Sequence, residues 1–513
     1  MSLRFGTDGV RGVAGSDLTP ELVVALGRAA ARVVGVAGRP FVVGRDTRLS
    51  GPMLQSAFAA GVAAEGFDVV DLGVIPTPGV ADTALDLMAP GAVVSASHNP
   101  FADNGIKLLA AGGRKLADET EAAVEALAAE LVVRGGASRP GALPRSGAGL
   151  GRVSTDRGAV ARYCARLAGV LEGRSLNGRK VAVDCANGAS SVTARDVLER
   201  AGAQVVAVLS DQPDGTNIND GCGSTDPRRL AAAVVAHGAD VGLAFDGDAD
   251  RVIAIDETGS VVDGDRLIAL FALDMHARGR LAGPGVAVTV MTNLGFHRAM
   301  ADAGVEVVTT PVGDRNIVDA LEVRDWNIGG EQSGHVVFRR LLSGGVGHGL
   351  APTGDGVLTG LLLIDLLERA GRPFSALAAG AMQRFPQVLE NVRVADHRAL
   401  DSAGAVWEEV RRVEAALGSS GRVLVRPSGT EPLVRVMVEA STEQAAAQAV
   451  RSLSSVVVDS LGPPAATAGP ADSGPAAASA PAGPAASGPA ATPGVPPTPG
   501  AAGAVPLADH RIE

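Results

Sequence analysis

The chain has 513 residues, 46% of them hydrophobic but only 3% aromatic, and a net charge of −11 at neutral pH. That length predicts several domains at about 150 residues each, while the acidic balance and the shortage of stacking rings argue against nucleic acid as the main partner. No stretch reads as a membrane span, the first residues lack the apolar core of a secretion signal, and three scattered cysteines (Cys164, Cys185, Cys222) form neither a metal spacing nor an even disulfide set, which together point to a reducing cytoplasm.

The N-terminal part alternates apolar strands with Ala/Leu-rich helices. The pattern predicts a helix over 21–34, a strand over 40–44, a helix over 51–65 and a strand over 68–72. Such alternation means α/β units. Two Gly- and Arg-bearing runs flank these elements: Phe5-Gly6-Thr7-Asp8-Gly9-Val10-Arg11-Gly12 and Gly44-Arg45-Asp46-Thr47-Arg48-Leu49-Ser50-Gly51. Arg11 is a candidate for reaching a phosphoryl group; Arg45 and Arg48 read better as structural ion pairs.

The apolar Ala92-Val93-Val94 runs into Ser95-Ala96-Ser97-His98-Asn99-Pro100. Asn99-Pro100 forces an extended or turn geometry that presents the residues before it. Ser97, flanked by His98 and followed by Lys107, is a candidate nucleophile toward phosphorus. A surface turn with a spare hydroxyl is the plainer alternative. No GxSxG surrounds Ser97 and no GxxxxGK[ST] run occurs, which disfavours a serine hydrolase and a nucleotide kinase.

Further on, the apolar run 239–245 leads into Asp246-Gly247-Asp248-Ala249-Asp250-Arg251. Three carboxylates at i, i+2 and i+4 repel one another: two unit charges about 4 Å apart cost about 4 kcal/mol at an effective dielectric near 20. A loop that gathers them needs a cation, and oxygen ligands suit Mg²⁺. A solvated acidic turn is one rival. An EF-hand is another, since Asp246, Asp248, Asp250 and Glu257 fall at loop positions one, three, five and twelve. However, Arg251 stands where the turn wants Gly, and the flanks read as strands. Arg251 itself could serve a phosphate or pair with an Asp.

A third strand-then-loop unit is Trp326-Asn327-Ile328 followed by Gly329-Gly330-Glu331-Gln332-Ser333-Gly334-His335. Glu331 and Ser333 could engage vicinal sugar hydroxyls and His335 could shuttle a proton; a bend with a structural His competes. A helix over 357–370 stops at Gly371-Arg372-Pro373. Residues 374–461 read as a small α+β domain, with a helix over 402–417, strands over 422–425 and 433–438, and a helix over 443–453. Its loop Arg426-Pro427-Ser428-Gly429-Thr430-Glu431-Pro432, with Arg435 beyond, offers forked and backbone donors to a phosphate. From 462 the composition collapses to Ala, Pro, Gly, Ser and Thr, the signature of a disordered tail. Ligands collect beyond the carboxyl ends of strands in open α/β sheets, so the three loops suggest three domains facing one cleft, and their spacing hints at a repeated α/β domain; the sheets are expected to be mixed. The expected divisions are 1–150, 151–256, 257–373 and 374–461, followed by the 462–513 tail.

Taken together, these runs resemble the α-D-phosphohexomutase superfamily. The matching segments are 5–12, 95–100 with 104–107, Asn217-Ile218-Asn219 with Cys222-Gly223-Ser224-Thr225-Asp226, 246–251, 330–335, 353–356 and 426–432. The resemblance implies three related α/β domains and a fourth, phosphate-binding α+β domain. It implies a phosphoryl group on Ser97, placed there by a kinase or by self-phosphorylation, and one Mg²⁺ held by Asp246, Asp248, Asp250 and the phosphoserine. It places Glu331 and Ser333 on the sugar. It gives Arg426, Ser428, Gly429, Thr430 and Arg435 the idle phosphate, and assigns Arg251 to the substrate. Arg11, His98, Lys107 and His335 would assist proton and phosphoryl transfer.

Gln332, the 217–226 run and the 353–356 run look like the bacterial branch that isomerises glucosamine phosphates through a sugar 1,6-bisphosphate, feeding UDP-N-acetylglucosamine and cell-wall synthesis. Relatives acting on mannose and glucose phosphates usually carry Met or Glu at 332. Three departures stand out: a longer 339–351 segment, Asn316 in place of an aromatic, and the long tail. A mannose- or glucose-phosphate mutase, a metal-dependent sugar phosphatase and a non-catalytic sugar-phosphate sensor are the competing readings. A homodimer stays open.

Overall fold

The computed structural model describes residues 5–6, 9–133, 145–339, 350–428 and 433–463. Four sheets follow one another along the chain. The first has seven strands in the order Phe5–Gly6, Gly9–Val13, Asp103–Leu109, Gly91–Val94, Phe41–Arg45, Val69–Val74, Val153–Thr155. Phe41–Arg45 pairs parallel with both its neighbours, whereas Gly91–Val94 and Asp103–Leu109 form an antiparallel pair around the serine loop. The sheet is therefore mixed, as expected, although strand–helix alternation alone argues for parallel pairing.

The second sheet has five strands: Val261–Val262, Val252–Asp256, Val241–Phe245, Lys180–Asp184 and Gln204–Leu209. Val241–Phe245 lies at its centre and is buried along its whole length. The third sheet orders Glu306–Thr310, Gly285–Thr289, Ile328–Gly330 and Val336–Phe338. These two sheets and the helix Gly356–Ala370 share one hydrophobic core, in which Leu243, Phe245, Phe271, Leu361 and Phe338 are buried. The fourth sheet is antiparallel, with Leu433–Glu439 between Gln387–Arg393 and Arg422–Pro427. Helices Gly404–Leu417 and Glu443–Leu461 cover it over a separate core of valines and leucines.

Elements arise where the periodicity places them, and their ends shift by a few residues. The last helix runs to Leu461 rather than 453 because Val457 and Leu461 are buried in the fourth core. The strand expected at 326–328 is instead Ile328–Gly330. Trp326 is buried ahead of it, while Gly329 and Gly330 pair with Ala287 and Val288 on one side and Val337 and Val336 on the other. Partner strands decide that register, overriding the low strand propensity of glycine. The predicted tail from 462 lies outside the described residues, apart from Gly462 and Pro463. Among the described residues, no helix is long and apolar enough to cross a membrane.

Candidate active site

The aspartate loop is the hairpin between Val241–Phe245 and Val252–Asp256. Strands on both flanks exclude an EF-hand. The three carboxylates are buried and offer ligand atoms within 4.8 Å of one another. Burial, with Asp250 and Asp248 alongside, pushes the Asp246 carboxyl well above the usual carboxylate range. Burial opposes ionisation of Asp250 too, but Lys107, His335 and Arg251 together hold it well below that range.

Protein donors meet both oxygens of Asp246 but only one each of Asp248 and Asp250 among the described residues. Asp246 accepts from Ser97 Oγ at 2.5 Å and from the Arg251 N–H at 3.1 Å. Asp248 Oδ2 accepts from Lys107 Nζ at 2.7 Å and Thr77 Oγ1 at 2.6 Å. Asp250 Oδ2 takes Lys107 Nζ at 3.2 Å and faces His335 Nδ1 at 3.8 Å. Asp248 Oδ1 and Asp250 Oδ1 are buried without a hydrogen-bond partner among the described residues, though Arg251 Nε stands 3.7 Å from the latter. Bare buried carboxylate oxygens are costly. A hard divalent cation fits this all-oxygen donor set.

Ser97 enters from the first sheet. It follows the buried strand Gly91–Val94 and holds a left-handed backbone, φ 52°, a conformation that a non-glycine residue keeps only when its surroundings enforce it. The enforcement is visible. Ser97 N–H donates to Ser95 Oγ (2.9 Å), which donates to Asp46 Oδ2 (2.6 Å). Arg48 pairs with Asp46 at 2.8 Å, both fully buried, and donates to the carbonyls of Ser97 (2.9 Å), Asn99 (2.8 Å), Asp103 (2.9 Å) and Pro100. Asn219 Nδ2 donates to the same Ser97 and Asn99 carbonyls at 2.9 and 3.0 Å. Arg48 is thus the ion pair expected, and also a clamp on the serine loop. Arg45, also expected as an ion pair, has none among the described residues and donates to the Asp46 carbonyl at 3.4 Å.

His98 Nδ1 lies 3.5 Å from Ser97 Oγ and 3.2 Å from Arg251 Nη1. Burial, then Arg251 and Arg11, lower its pKa, against the opposing pull of Asp248 and Asp250. Arg11 joins the loop through Asn99 Oδ1 at 3.3 Å. His335 is buried, and its Nε2 accepts from the Gly354 N–H at 3.1 Å, which leaves its proton on Nδ1, facing Asp250. Burial opposes its charged form, but Asp250, Asp314 and Glu331 raise its pKa on balance. Asp314 Oδ2 lies 3.6 Å from His335 Nε2, and Lys115 pairs with Asp314 at 2.5 Å.

The structure therefore gathers Ser97, His98, Lys107, Asp246, Asp248, Asp250, Arg251 and His335 at one place, with Arg11 at its edge. Glu331 and Ser333 sit in the turn just before His335. Glu331 Oε1 accepts from the Gly313 N–H at 3.1 Å, and Ser333 Oγ is buried without a partner among the described residues. Gln332 Nε2 donates to Asp265 Oδ2 at 3.2 Å and to Gln387 Oε1 of the fourth sheet at 3.3 Å.

Arg426 and Arg435 stand apart from this cluster, sharing no hydrogen bond or ion pair with it among the described residues. They are direct cross-strand partners. Burial and then Arg435 lower the pKa of Arg426, and each Nε is buried without a hydrogen-bond partner among the described residues. Ser428 N–H closes the strand end on Leu433 O at 2.9 Å. Gly429 and Thr430 lie outside the described residues, as does 340–349 of the longer segment.

Sequence reasoning gave no role to Thr77, Asp314 or Asn219. Asn219 was at least inside a matching run. Thr77, between Pro76 and Pro78, carries no signal of its own.

Comparison with known proteins agrees with this arrangement. The family models for phosphoglucomutase/phosphomannomutase match in order: alpha/beta/alpha domain I over residues 2–132, domain II over 161–259, domain III over 263–385 and the C-terminal domain over 389–453. A phosphoglucosamine mutase from Desulforudis audaxviator is 50% identical over 463 residues, covering 90% of this chain and 98% of that protein. One from Mycolicibacterium gilvum is 49% identical over 466 residues, covering 90% and 100%. The crystal structure of a phosphoglucomutase/phosphomannomutase family protein from Burkholderia thailandensis superposes with a TM-score of 0.72 at 25% identity, covering 88% of this chain and 97% of that one.

Proposed function

This chain belongs to the phosphoglucomutase/phosphomannomutase family, and from that premise we propose that it is an isomerase interconverting glucosamine 6-phosphate and glucosamine 1-phosphate. The relatives of about 50% identity that carry this activity in their name cover nine-tenths of the chain. The observation that carries the chemistry is the seating of a left-handed Ser97 hydroxyl 2.5 Å from Asp246.

In this reading Ser97 bears the phosphoryl group. Asp246, Asp248 and Asp250, with an oxygen of that group, would hold Mg²⁺, which supplies charge neutralisation and polarises the phosphoryl oxygens. Phosphoryl transfer is mostly positioning and charge stabilisation. Lys107 and Arg251 add fixed positive charge beside Ser97. The Ser97 Oγ–P bond breaks as the sugar O1–P bond forms; the O1 hydroxyl gives its proton to His98 or His335, the two imidazoles at the cluster, and the departing Ser97 Oγ gains a proton in turn. The 1,6-bisphosphate then turns end for end, and Ser97 recovers the phosphoryl group from O6. Glu331 and Ser333 engage the sugar. Arg426, Ser428, Gly429, Thr430 and Arg435 hold whichever phosphate is idle, so one anchor serves both orientations. The first charging of Ser97 comes from a kinase or from bisphosphate itself.

The test is direct. Purified protein with glucosamine 6-phosphate, Mg²⁺ and a trace of glucose 1,6-bisphosphate should yield the 1-phosphate by ³¹P NMR, and Ser97→Ala should not. Release of inorganic phosphate in place of the 1-phosphate would make it a phosphatase. A higher kcat/KM with mannose or glucose 6-phosphate would move it to the sister branch.

A further inference from the structure

Thr77 lies on the first sheet's side of the cleft, 171 residues from the carboxylate it touches. It is the first residue of the helix Thr77–Leu87, directly after Pro76 and a few residues past the strand Val69–Val74. It meets the aspartate loop twice. Its N–H donates to the Asp248 carbonyl at 2.9 Å, and its hydroxyl donates to Asp248 Oδ2 at 2.6 Å. Lys107 Nζ occupies the same Oδ2 at 2.7 Å. One oxygen of the carboxylate thus carries two donors, while Oδ1 is buried with none among the described residues. A carboxylate held by one oxygen cannot rotate freely. Asp248 also offers a ligand atom within 4.8 Å of those of Asp246 and Asp250, and Oδ1 is its oxygen that no protein donor occupies among the described residues.

We propose that Thr77 is a positioning residue for the cation site: its hydroxyl fixes Asp248 so that Oδ1 is presented to the divalent ion. This rests on the metal reading above. Outer partners of ligating carboxylates orient them, and their loss typically costs 10–100-fold in metal affinity. A purely structural Thr77, serving as a helix start at a domain contact, would keep its N–H bond and leave affinity unchanged.

The probe is Mn²⁺ alone, an oxygen-preferring stand-in, titrated into the full chain and followed by EPR of the free ion, with no substrate or turnover. Thr77→Val removes the hydroxyl at nearly constant shape, Thr77→Ala removes it without crowding Asp248, and Thr77→Ser restores it. The Mn²⁺ Kd is expected to rise about 10–100-fold in the Val and Ala variants and to stay near wild type in Ser. Should Val destabilise the fold, the Ala and Ser pair carries the comparison alone. A wild-type Kd in Thr77→Ala overturns the proposal. Absence of Mn²⁺ binding to the unmutated chain overturns the metal reading itself, and this inference with it.

Discussion

Arg48 Nη2 lies 2.9 Å from the Ser97 carbonyl oxygen, and the whole Arg48 side chain is buried. One guanidinium therefore neutralises Asp46 and holds the backbone on which the serine hydroxyl is aimed. Replacing Arg48 with Met leaves a buried carboxylate without its cation and strips a shared donor from four carbonyls. Removing one partner of a buried ion pair costs about 3–5 kcal/mol, so the first urea unfolding transition should move to clearly lower denaturant. Arg48→Lys should not restore it, because a compact ammonium lacks the forked donors. Full recovery by Lys would show that charge alone matters there.

Arg426 and Arg435 oppose each other directly across two antiparallel strands. Like charges in that position are destabilising, so the pair is poised for an anion. Arg426→Ala should raise KM for the sugar phosphate strongly, since it removes anchoring from ground and transition states together. Phosphate or sulfate should raise the melting temperature of the wild type more than that of the variant. Equal anion stabilisation of both proteins would place the anchor elsewhere.

The catalytic cluster was partly legible because its chemistry is local in sequence. Asp246, Asp248 and Asp250 occupy one hairpin loop, and Ser97 and Lys107 lie in the loop and on the second strand of another. Their supports are not local. Arg48 grips a carbonyl 49 residues away, Asn219 one 122 away, and Thr77 a carboxylate 171 away. The side chains of two of these three bind backbone oxygens, which leave no trace in residue identity. The strand at Ile328–Gly330 was misplaced for a similar reason: its neighbours, not its own composition, set its register.

A buried acid pair gives a pH prediction. Asp355 caps the helix Gly356–Ala370, accepting from the Leu358 N–H at 2.9 Å and from Tyr163 Oη at 2.8 Å. Burial is the main cause that raises its carboxyl from the ordinary 3.8 to about 7, and nearby Asp82, likewise mainly by burial, is raised to about 6. The folded state thus keeps protons that the unfolded chain has already released. Stability from these groups is greatest below pH 3.8 and falls as pH rises toward about 6 and 7, at about 1.4 kcal/mol per pH unit for each group. Asp355→Asn keeps the cap and removes one titration. Its advantage over wild type should therefore grow from pH 4 to pH 7 and then level off. Parallel stability–pH curves for the two proteins would contradict this.

Gly247 has an ordinary backbone, yet only glycine fits it. A Cβ there would lie 2.6 Å from the Ser97 carbonyl oxygen, 2.8 Å from Ile218 Cδ1 and 3.0 Å from Asn219 Nδ2. The obstacle is thus the very backbone that Arg48 and Asn219 hold. Arg48 is buried and Asn219 half-buried, so the methyl of Gly247→Ala cannot be absorbed by the serine loop without breaking their bonds. The aspartate loop must retreat instead, lengthening the 2.5 Å approach of Ser97 to Asp246. A misplacement of about 1 Å can cost about 10²-fold in rate. Gly247→Ala should therefore lose kcat on that scale, while KM changes little because the Arg426 anchor lies outside the contact. Steady-state kinetics checks it. A lowered melting temperature with unchanged kcat would mean that the two loops can separate without consequence for transfer.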